Sequence, residues 1–231
     1  MLNIKDLHPW NVTCKEAMGI QQDLRKSLIL HDKNFPEPIN IIAGADISYS
    51  KHSDLFYAAV ILMEFPSLDI IEEGTGIERA PFPYIPGLLS FREGPAFLKI
   101  FEHLHHVPDV VIFDGQGIAH PRGVGLASHM GLFLDIPTIG CAKKRLAGRH
   151  GEVGHHVGDY ADLILDDEIV GTVLRTKKKV KPIFVSPGHL IGIRKSADIV
   201  LDCCRGYKLP EPTRRAHLLV NRMRLHSISS C

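Results

Sequence analysis

Several things are scarce in this sequence, and each scarcity excludes something. No apolar run approaches the roughly 20 residues of a membrane-spanning helix, which excludes such a helix and any membrane partner that depends on one. Met1-Leu2-Asn3-Ile4-Lys5-Asp6 lacks the basic region and following apolar stretch of a signal peptide, so a cytoplasmic protein is expected. There are only five cysteines, an odd number, scattered apart from the adjacent Cys203 and Cys204. Free thiols in a reducing compartment fit them better than a disulfide framework. Surplus charge is also missing: 27 Lys and Arg face 26 Asp and Glu, for a net +1. No global field advertises nucleic acid, so any basic surface must come from local clustering. No repeat, low-complexity tract or linker interrupts the 231 residues, which read as one domain, 1–231, large enough to bury a core. The fourteen histidines lack the paired spacing of structural zinc ligands. His103, His105 and His106 fall on an expected helix without matching cysteines, and His150, His155 and His156 in a glycine-rich stretch, so no zinc site is expected.

What is present is three acidic residues in apolar settings. Asp46 ends the run Ile41-Ile42-Ala43-Gly44-Ala45, and Asp114 ends Val110-Val111-Ile112-Phe113. Glu93 lies in Leu88-Leu89-Ser90-Phe91-Arg92-Glu93-Gly94-Pro95, just before an expected proline-initiated helix. An ionised carboxylate withdrawn from water without a partner costs several kcal/mol. A divalent cation shared by Asp46 and Asp114 would offset that cost, which points to metal-assisted chemistry on a phosphate ester. Asp114, followed by Gly115, also suits an ordinary turn. Asp46 does not, because Ile47, Ser48 and Tyr49 continue its strand.

Periodicity supplies the frame. Thr13-Cys14-Lys15-Glu16 reads as a capping box, and Ala17, Ile20, Leu24 and Leu28 extend a helix over about 14–30. Residues 39–49, 56–64 and 68–77 read as strands with short connections, an antiparallel meander, with a turn at 51–54. Pro81 to Pro86 cannot be regular structure. Pro95 suits a helix's first turn, with Phe97, Ile100, Phe101 and Leu104 as its buried stripe. Residues 110–114 read as a buried strand parallel to the first, because a helical crossover precedes it. A helix at 126–134 and a strand at 138–141 follow, then a hairpin from 168–176 and 182–193. Ser196 would cap a helix through Cys204, and Pro212 would start a last helix with Ala216, Leu219, Val220 and Met223 inward. The tail from Arg224 to Cys231 is expected to fray. The fold class is α/β, a mixed sheet flanked by helices. If the strands ending in Asp46 and Asp114 are neighbours, about 4.8 Å apart, their carboxylates can hold one ion.

At this point the chain resembles the endonuclease V family, the deoxyinosine 3′-endonucleases of DNA repair. The matching segments are Gly44-Ala45-Asp46-Ile47-Ser48, Pro83-Tyr84-Ile85-Pro86-Gly87-Leu88-Leu89-Ser90-Phe91-Arg92-Glu93 and Asp114-Gly115-Gln116-Gly117-Ile118-Ala119-His120-Pro121-Arg122. Gly140-Cys141-Ala142-Lys143-Lys144, Val185-Ser186-Pro187-Gly188-His189 and Glu211-Pro212-Thr213-Arg214-Arg215-Ala216-His217 complete the series. Six segments in family order are specific where any one is weak. The resemblance implies a ribonuclease H-like fold and a magnesium-dependent phosphodiesterase, with manganese able to substitute. It implies recognition of hypoxanthine and cleavage of the second phosphodiester bond on its 3′ side, leaving a 3′-hydroxyl and a 5′-phosphate.

It also assigns roles. Asp46 and Asp114 are the expected magnesium ligands. Glu93 either orients the attacking water or ligates a second ion, and His217 accepts a proton from that water. Lys143 stabilises charge at the scissile phosphate, against the plainer reading of a solvated lysine beside Lys144 and Arg145. Pro83, Tyr84, Ile85 and Pro86 form a stiff wedge, with Tyr84 replacing the extruded base in the stack. The plainer alternative buries Tyr84 in the core. Gly87, Leu89, Gly115, His120 and Gly125 are candidates for the hypoxanthine pocket, where glycines let backbone amides approach a flat base. The run Arg175 to Lys181 either meets DNA phosphates or is a solvated turn. The expected partner is DNA containing deoxyinosine, bound by a monomer. An endoribonuclease acting on inosine in RNA would use the same residues, and an inactive nucleic-acid binding protein is the third reading.

Overall fold

The computed structural model describes residues 2–49, 54–80 and 82–229, without the side chains of 228 and 229. Lys51 to Ser53 of the expected turn and Pro81 of the proline-rich segment lie outside the described residues, as do the last two residues of the tail. The elements in chain order are α1 (Cys14–Arg25), β1 (Ile41–Tyr49), β2 (Leu55–Glu64), β3 (Ile70–Arg79), α2 (Leu89–His103), β4 (Val110–Phe113), α3 (Leu126–Leu134), β5 (Thr138–Ala142), β6 (Tyr160–Leu165), β7 (Glu168–Leu174), β8 (Ile183–His189), α4 (Ile193–Asp202) and α5 (Glu211–Ser229). They form one 8-stranded sheet in the order β3-β2-β1-β4-β5-β8-β7-β6.

The meander β1-β2-β3 is antiparallel, and β4 joins β1 in parallel with Ala45 opposite Phe113. β5 continues in parallel beside β4, and β8 then runs antiparallel to β5. This is the ribonuclease H-like mixed sheet that the resemblance implies. Alternation along the central strands divides two cores. Ala43, Ala45, Val60, Val111 and Phe113 pack against α2 and α3. Ile42, Ile61, Val110, Ile112 and Ile139 pack on the other face against Ile199 and Val200 of α4 and Ala216 of α5.

Gly44 controls how close α5 lies. A Cβ at this position would sit 2.0 Å from the Pro212 carbonyl carbon and 2.4 Å from the Thr213 nitrogen. Only a glycine lets the first turn of α5 rest on β1, and this contact sets the height of His217 above the strand.

Several expected boundaries move. α1 has its capping box, with Thr13 and Glu16 bonding reciprocally, but ends at Arg25 rather than near 30. The carbonyls of Asp23, Leu24 and Arg25 take the amides of residues 26, 27 and 28, which tightens the chain out of the helix. α2 begins at Leu89, so Glu93 is on the helix and Pro95 is inside it, not at its start. Leu88 and Phe91 pack with Ala17 and Phe82, and this burial outweighs the hydrogen bond Pro95 cannot make. α2 ends at His103, which leaves His105 and His106 off the helix. Gly192, not Ser196, caps α4; Ser196 lies within it, and its hydroxyl donates to the Gly192 carbonyl at 2.8 Å. α5 stays helical through Ser229 where fraying was expected, and Arg224 bonds back to Asn221. β6 was not anticipated. It pairs with β7 through a two-residue turn at Asp166 and Asp167, both with positive φ, without the glycine that usually advertises such hairpins.

Candidate active site

β4 stops at Phe113 while β1 runs on to Tyr49, held by β2. The Asp114 amide makes one more ladder bond, donating to the Ala45 carbonyl at 3.0 Å. That bond puts Asp114 beside Asp46. Asp46 is 7% exposed, and its Oδ1 accepts the Ile47 amide at 2.8 Å. Its Oδ2 lies 2.7 Å from Nδ1 of His217, delivered by α5. Lys143, just beyond β5, donates to Asp114 Oδ2 at 2.5 Å.

The orientation of His217 follows from its neighbours. Ser48 and Arg224 donate to Asn221 Oδ1, so the Asn221 amide nitrogen is the atom that donates to His217 Nε2 at 3.2 Å. Nδ1 then carries the proton shared with Asp46. Both ring nitrogens are engaged. Accepting a proton from water requires the Asn221 bond to open, whereas holding Asp46 requires no movement.

Donor atoms of Asp46, Asp114 and His217 lie within 4.8 Å of one another, the one such group of His, Cys, Asp and Glu side chains among the described residues. Glu93 approaches from α2 and is 8% exposed. Burial, then the charges of Asp46 and Asp114, push its carboxyl up to about 8, and Arg92 opposes them weakly. Burial and Asp46 likewise raise Asp114, although Lys143 pulls the other way. Burial disfavours the Lys143 ammonium, but Asp114 outweighs it and holds Lys143 above its ordinary value. One ammonium thus faces three carboxyl groups, Asp46 and Glu93 buried and Asp114 half-buried. The deficit is cationic, and an oxygen-rich set of this kind suits a hard divalent ion.

Beside this cluster is a cavity of about 120 Å³. Tyr84, Ile85, Pro86, Gly87, Leu89, His120 and Gly125 line it. Pro83 and Gly115 do not line it: Pro83 is exposed one residue before Tyr84, and Gly115 sits against Leu126. Tyr84 is 64% exposed, so it is not the core residue of the plainer reading. The reading of the sequence missed Gln21, Ser90, Gln116 and Leu146 in this wall. Gln116 and Ser90 stand inside quoted segments, but Gln21 and Leu146 carry no local signal.

The proline-rich loop ends at Gly87, whose φ of +79 suits glycine. The Gly87 carbonyl accepts from Gln21 at 3.0 Å, from His120 Nε2 at 3.0 Å and from Arg122 at 2.6 Å. Burial, then Arg122, lowers His120 to about 4, so it is neutral at pH 7. It donates through Nε2 and accepts the Arg122 amide at Nδ1. The loop is therefore clamped at its base and bare at its tip.

The same two segments serve both sites. On α2, Ser90 lines the cavity and Glu93 lies one turn further on. After β4, Asp114 belongs to the cluster and Gln116 to the cavity. The basic run after β7 is tied to the segment before α5. Thr176 donates to the Lys208 carbonyl at 2.6 Å. Burial holds Lys208 below its ordinary range, and Lys143 and Lys181 push it the same way. The four described cysteines, Cys14, Cys141, Cys203 and Cys204, carry free thiols.

Fold and site together define the class: a ribonuclease H-like protein with one carboxylate within a central strand, one just past the end of its parallel neighbour and a third brought by a helix. A model of the Endonuclease V family matches residues 22–218, and the chain belongs to that family of nucleases. It is 45% identical over 217 residues to an Endonuclease V of Dehalococcoides mccartyi, covering 94% of this chain and 96% of the relative. The crystal structure of the Bacillus subtilis Endonuclease V superposes with a TM-score of 0.93 at 30% identity, covering all of both chains. The Ciona intestinalis Endonuclease V, solved with a 24mer DNA containing an inosine followed by a ribo-adenosine, gives 0.80 at 28% identity, covering 93% of this chain and 98% of that one.

Proposed function

We propose that this protein is a divalent-cation-dependent endonuclease that recognises deoxyinosine in DNA. It hydrolyses the second phosphodiester bond 3′ to the lesion, leaving a 3′-hydroxyl and a 5′-phosphate. The observation that carries this reading is the sharing of α2 and the Asp114–Gly125 segment by a base-sized cavity and a cation-deficient carboxylate cluster. The inosine-containing DNA bound by the Ciona relative supports it.

Asp46 and Asp114 hold the cation, magnesium by preference with manganese as a substitute, and His217 keeps the Asp46 carboxylate turned toward it. When bound there, the cation would supply charge neutralisation at the phosphate and activation of the attacking water. The charge of a bound cation would return Glu93 to its ionised form, in which it orients that water and takes up its proton. Lys143 stays charged and stabilises the negative charge developing on the phosphate. Tyr84, on its clamped loop with Pro83, Ile85 and Pro86, enters the stack as the lesion leaves it. The extruded base enters the cavity against Gly87, Leu89, His120 and Gly125. The Leu89 and Ser90 amides, in a first turn without a side-chain cap, donate to its O6. The protein acts as a monomer in the cytoplasm.

The second reading, an endoribonuclease acting on inosine in RNA, takes its support from the ribo-adenosine in the Ciona complex. The deciding experiment is strand cleavage with magnesium on labelled oligonucleotides carrying one deoxyinosine in DNA or one inosine in RNA. Asp46→Ala and Asp114→Ala run alongside. Nicking of the DNA at the second 3′ bond, lost in both variants, supports the repair enzyme. Preferential cutting of RNA moves the same chemistry to RNA metabolism. Failure to cut either substrate leaves a binding protein.

A further inference from the structure

We infer that Ser90 reads the N1–H of hypoxanthine, its hydroxyl held as a pure acceptor by a buried chain of two histidines. The inference rests on the reading of the cavity as a base pocket. His8 and His129 are buried among Trp10, Phe91 and Phe133, with His8 Nε2 2.6 Å from His129 Nε2. Burial lowers both rings below the ordinary histidine range, so each is neutral and has one N–H.

The direction of every bond in the chain then follows. His8 Nδ1 lies 3.0 Å from the Pro9 carbonyl, which only accepts, so the His8 proton is on Nδ1. His8 Nε2 is bare, and the bond between the rings takes its proton from His129 Nε2. His129 Nδ1 is therefore bare as well. It lies 2.8 Å from Ser90 Oγ, so the one hydroxyl proton of Ser90 points at His129.

Ser90 also belongs to the cavity wall, and a hydroxyl whose proton is committed to His129 has only lone pairs left for a ligand there. Gln116 has the same polarity: its amide nitrogen donates to the Lys144 carbonyl at 3.0 Å, and its Oε1 is buried with no partner. The Gly87 carbonyl already receives three donors, so it is not a free acceptor. Hypoxanthine brings a proton at N1 and meets Ser90 with a hydrogen bond. Adenine brings a lone pair at N1 and sets acceptor against acceptor. Sites built around a buried polar group reject the analogue that leaves it unpaired.

The test has two parts, both on the full chain. Long-range proton–nitrogen NMR on protein labelled with ¹⁵N-histidine reads the tautomers directly. His8 is expected as Nδ1–H and His129 as Nε2–H; an Nδ1–H tautomer at His129 makes Ser90 a donor and overturns the inference. Kinetics then compare oligonucleotides carrying deoxyinosine or deoxyadenosine at the same position. Ser90→Ala is expected to lower the kcat/KM ratio of inosine to adenosine by about tenfold, mainly through KM, and to lower the melting temperature because His129 Nδ1 is left unpaired; the ratio, unlike the melting temperature, would not move if Ser90 only supported the fold. His8→Phe, which keeps the ring packing and removes the lock on His129, lowers the same ratio. A wild-type protein that prefers inosine, with an unchanged ratio in Ser90→Ala, overturns the role of Ser90 alone. A wild-type protein with no preference for inosine overturns the base-pocket reading and this inference together.

Discussion

The carboxylate cluster and the base cavity lie side by side on the same two segments, yet they are built on opposite rules. At the cluster, Asp46, Glu93 and Asp114 are brought together with one ammonium, and the imbalance leaves Glu93 favouring its protonated form. At the cavity, charge is avoided and hydrogen bonds are nearly complete. His120 is neutral, the Gly87 carbonyl has three donors, and the Ser90 hydroxyl has a committed proton. The cluster stores an electrostatic demand that a cation answers. The cavity is pre-organised, so little remains to reorder when a ligand enters. Chemistry needs the first arrangement and discrimination needs the second.

The comparison breaks most visibly at the cluster. Asp114→Ala or Asp46→Ala, or removal of divalent ions by a chelator, is expected to lower cleavage by about a thousandfold or more, measured as single-turnover nicking. Binding of inosine-containing DNA should survive, because the cavity is intact. Binding lost in parallel with cutting would show that the two regions are not separable.

Glu93 gives the next effect, and its sign is definite. Its folded pKa of about 8 lies above the usual carboxylate value. Its contribution to stability is fully present below about pH 4 and is lost as pH rises through 8. In protein without divalent ions, Glu93→Gln should melt higher than the wild type above pH 8 and equally near pH 4. At about 2–4 °C per kcal/mol for a chain of this size, calorimetry resolves the difference. Saturating magnesium should reverse the order at pH 8. A pH-independent offset would remove the electrostatic account.

Gly44→Ala tests how the cluster is assembled. The added methyl meets the backbone of α5, so a loss of about 1–3 kcal/mol is expected together with reduced turnover, as His217 moves from Asp46. At the cavity, Tyr84→Ala should weaken binding to inosine in duplex DNA by about tenfold. It should leave single-stranded substrates nearly untouched, because there no stack has to be filled. The smallest effect belongs to the lysine run: Lys177→Ala with Lys181→Ala should reduce the salt dependence of DNA binding by about one to two phosphate contacts. An unchanged slope would make that run a solvated turn.

Much of the frame was legible in the chain. The capping box at Thr13, the meander, the parallel β4 and the inward face of α5 all follow from local periodicity and chain connectivity. The failures share a cause. α2 starts six residues before Pro95 because Phe91 finds Ala17 and Phe82, which are distant in sequence. β6 turns on two aspartates in the left-handed region, held there by pairing with β7. Gln21 is in the cavity wall because α1 packs there, and nothing around Gln21 announces it.

Sequence alone determined the family, the two-faced sheet and the two carboxylates that follow its central apolar runs, because apolar runs, glycines and ordered motifs are local signals. Tertiary structure decided the charge state of Glu93, the direction of the proton on Ser90 and the partner of Asp46. Each of these depends on groups that folding brings from remote parts of the chain. Their energies are set by distance and by the exclusion of water, and neither is written in the order of residues.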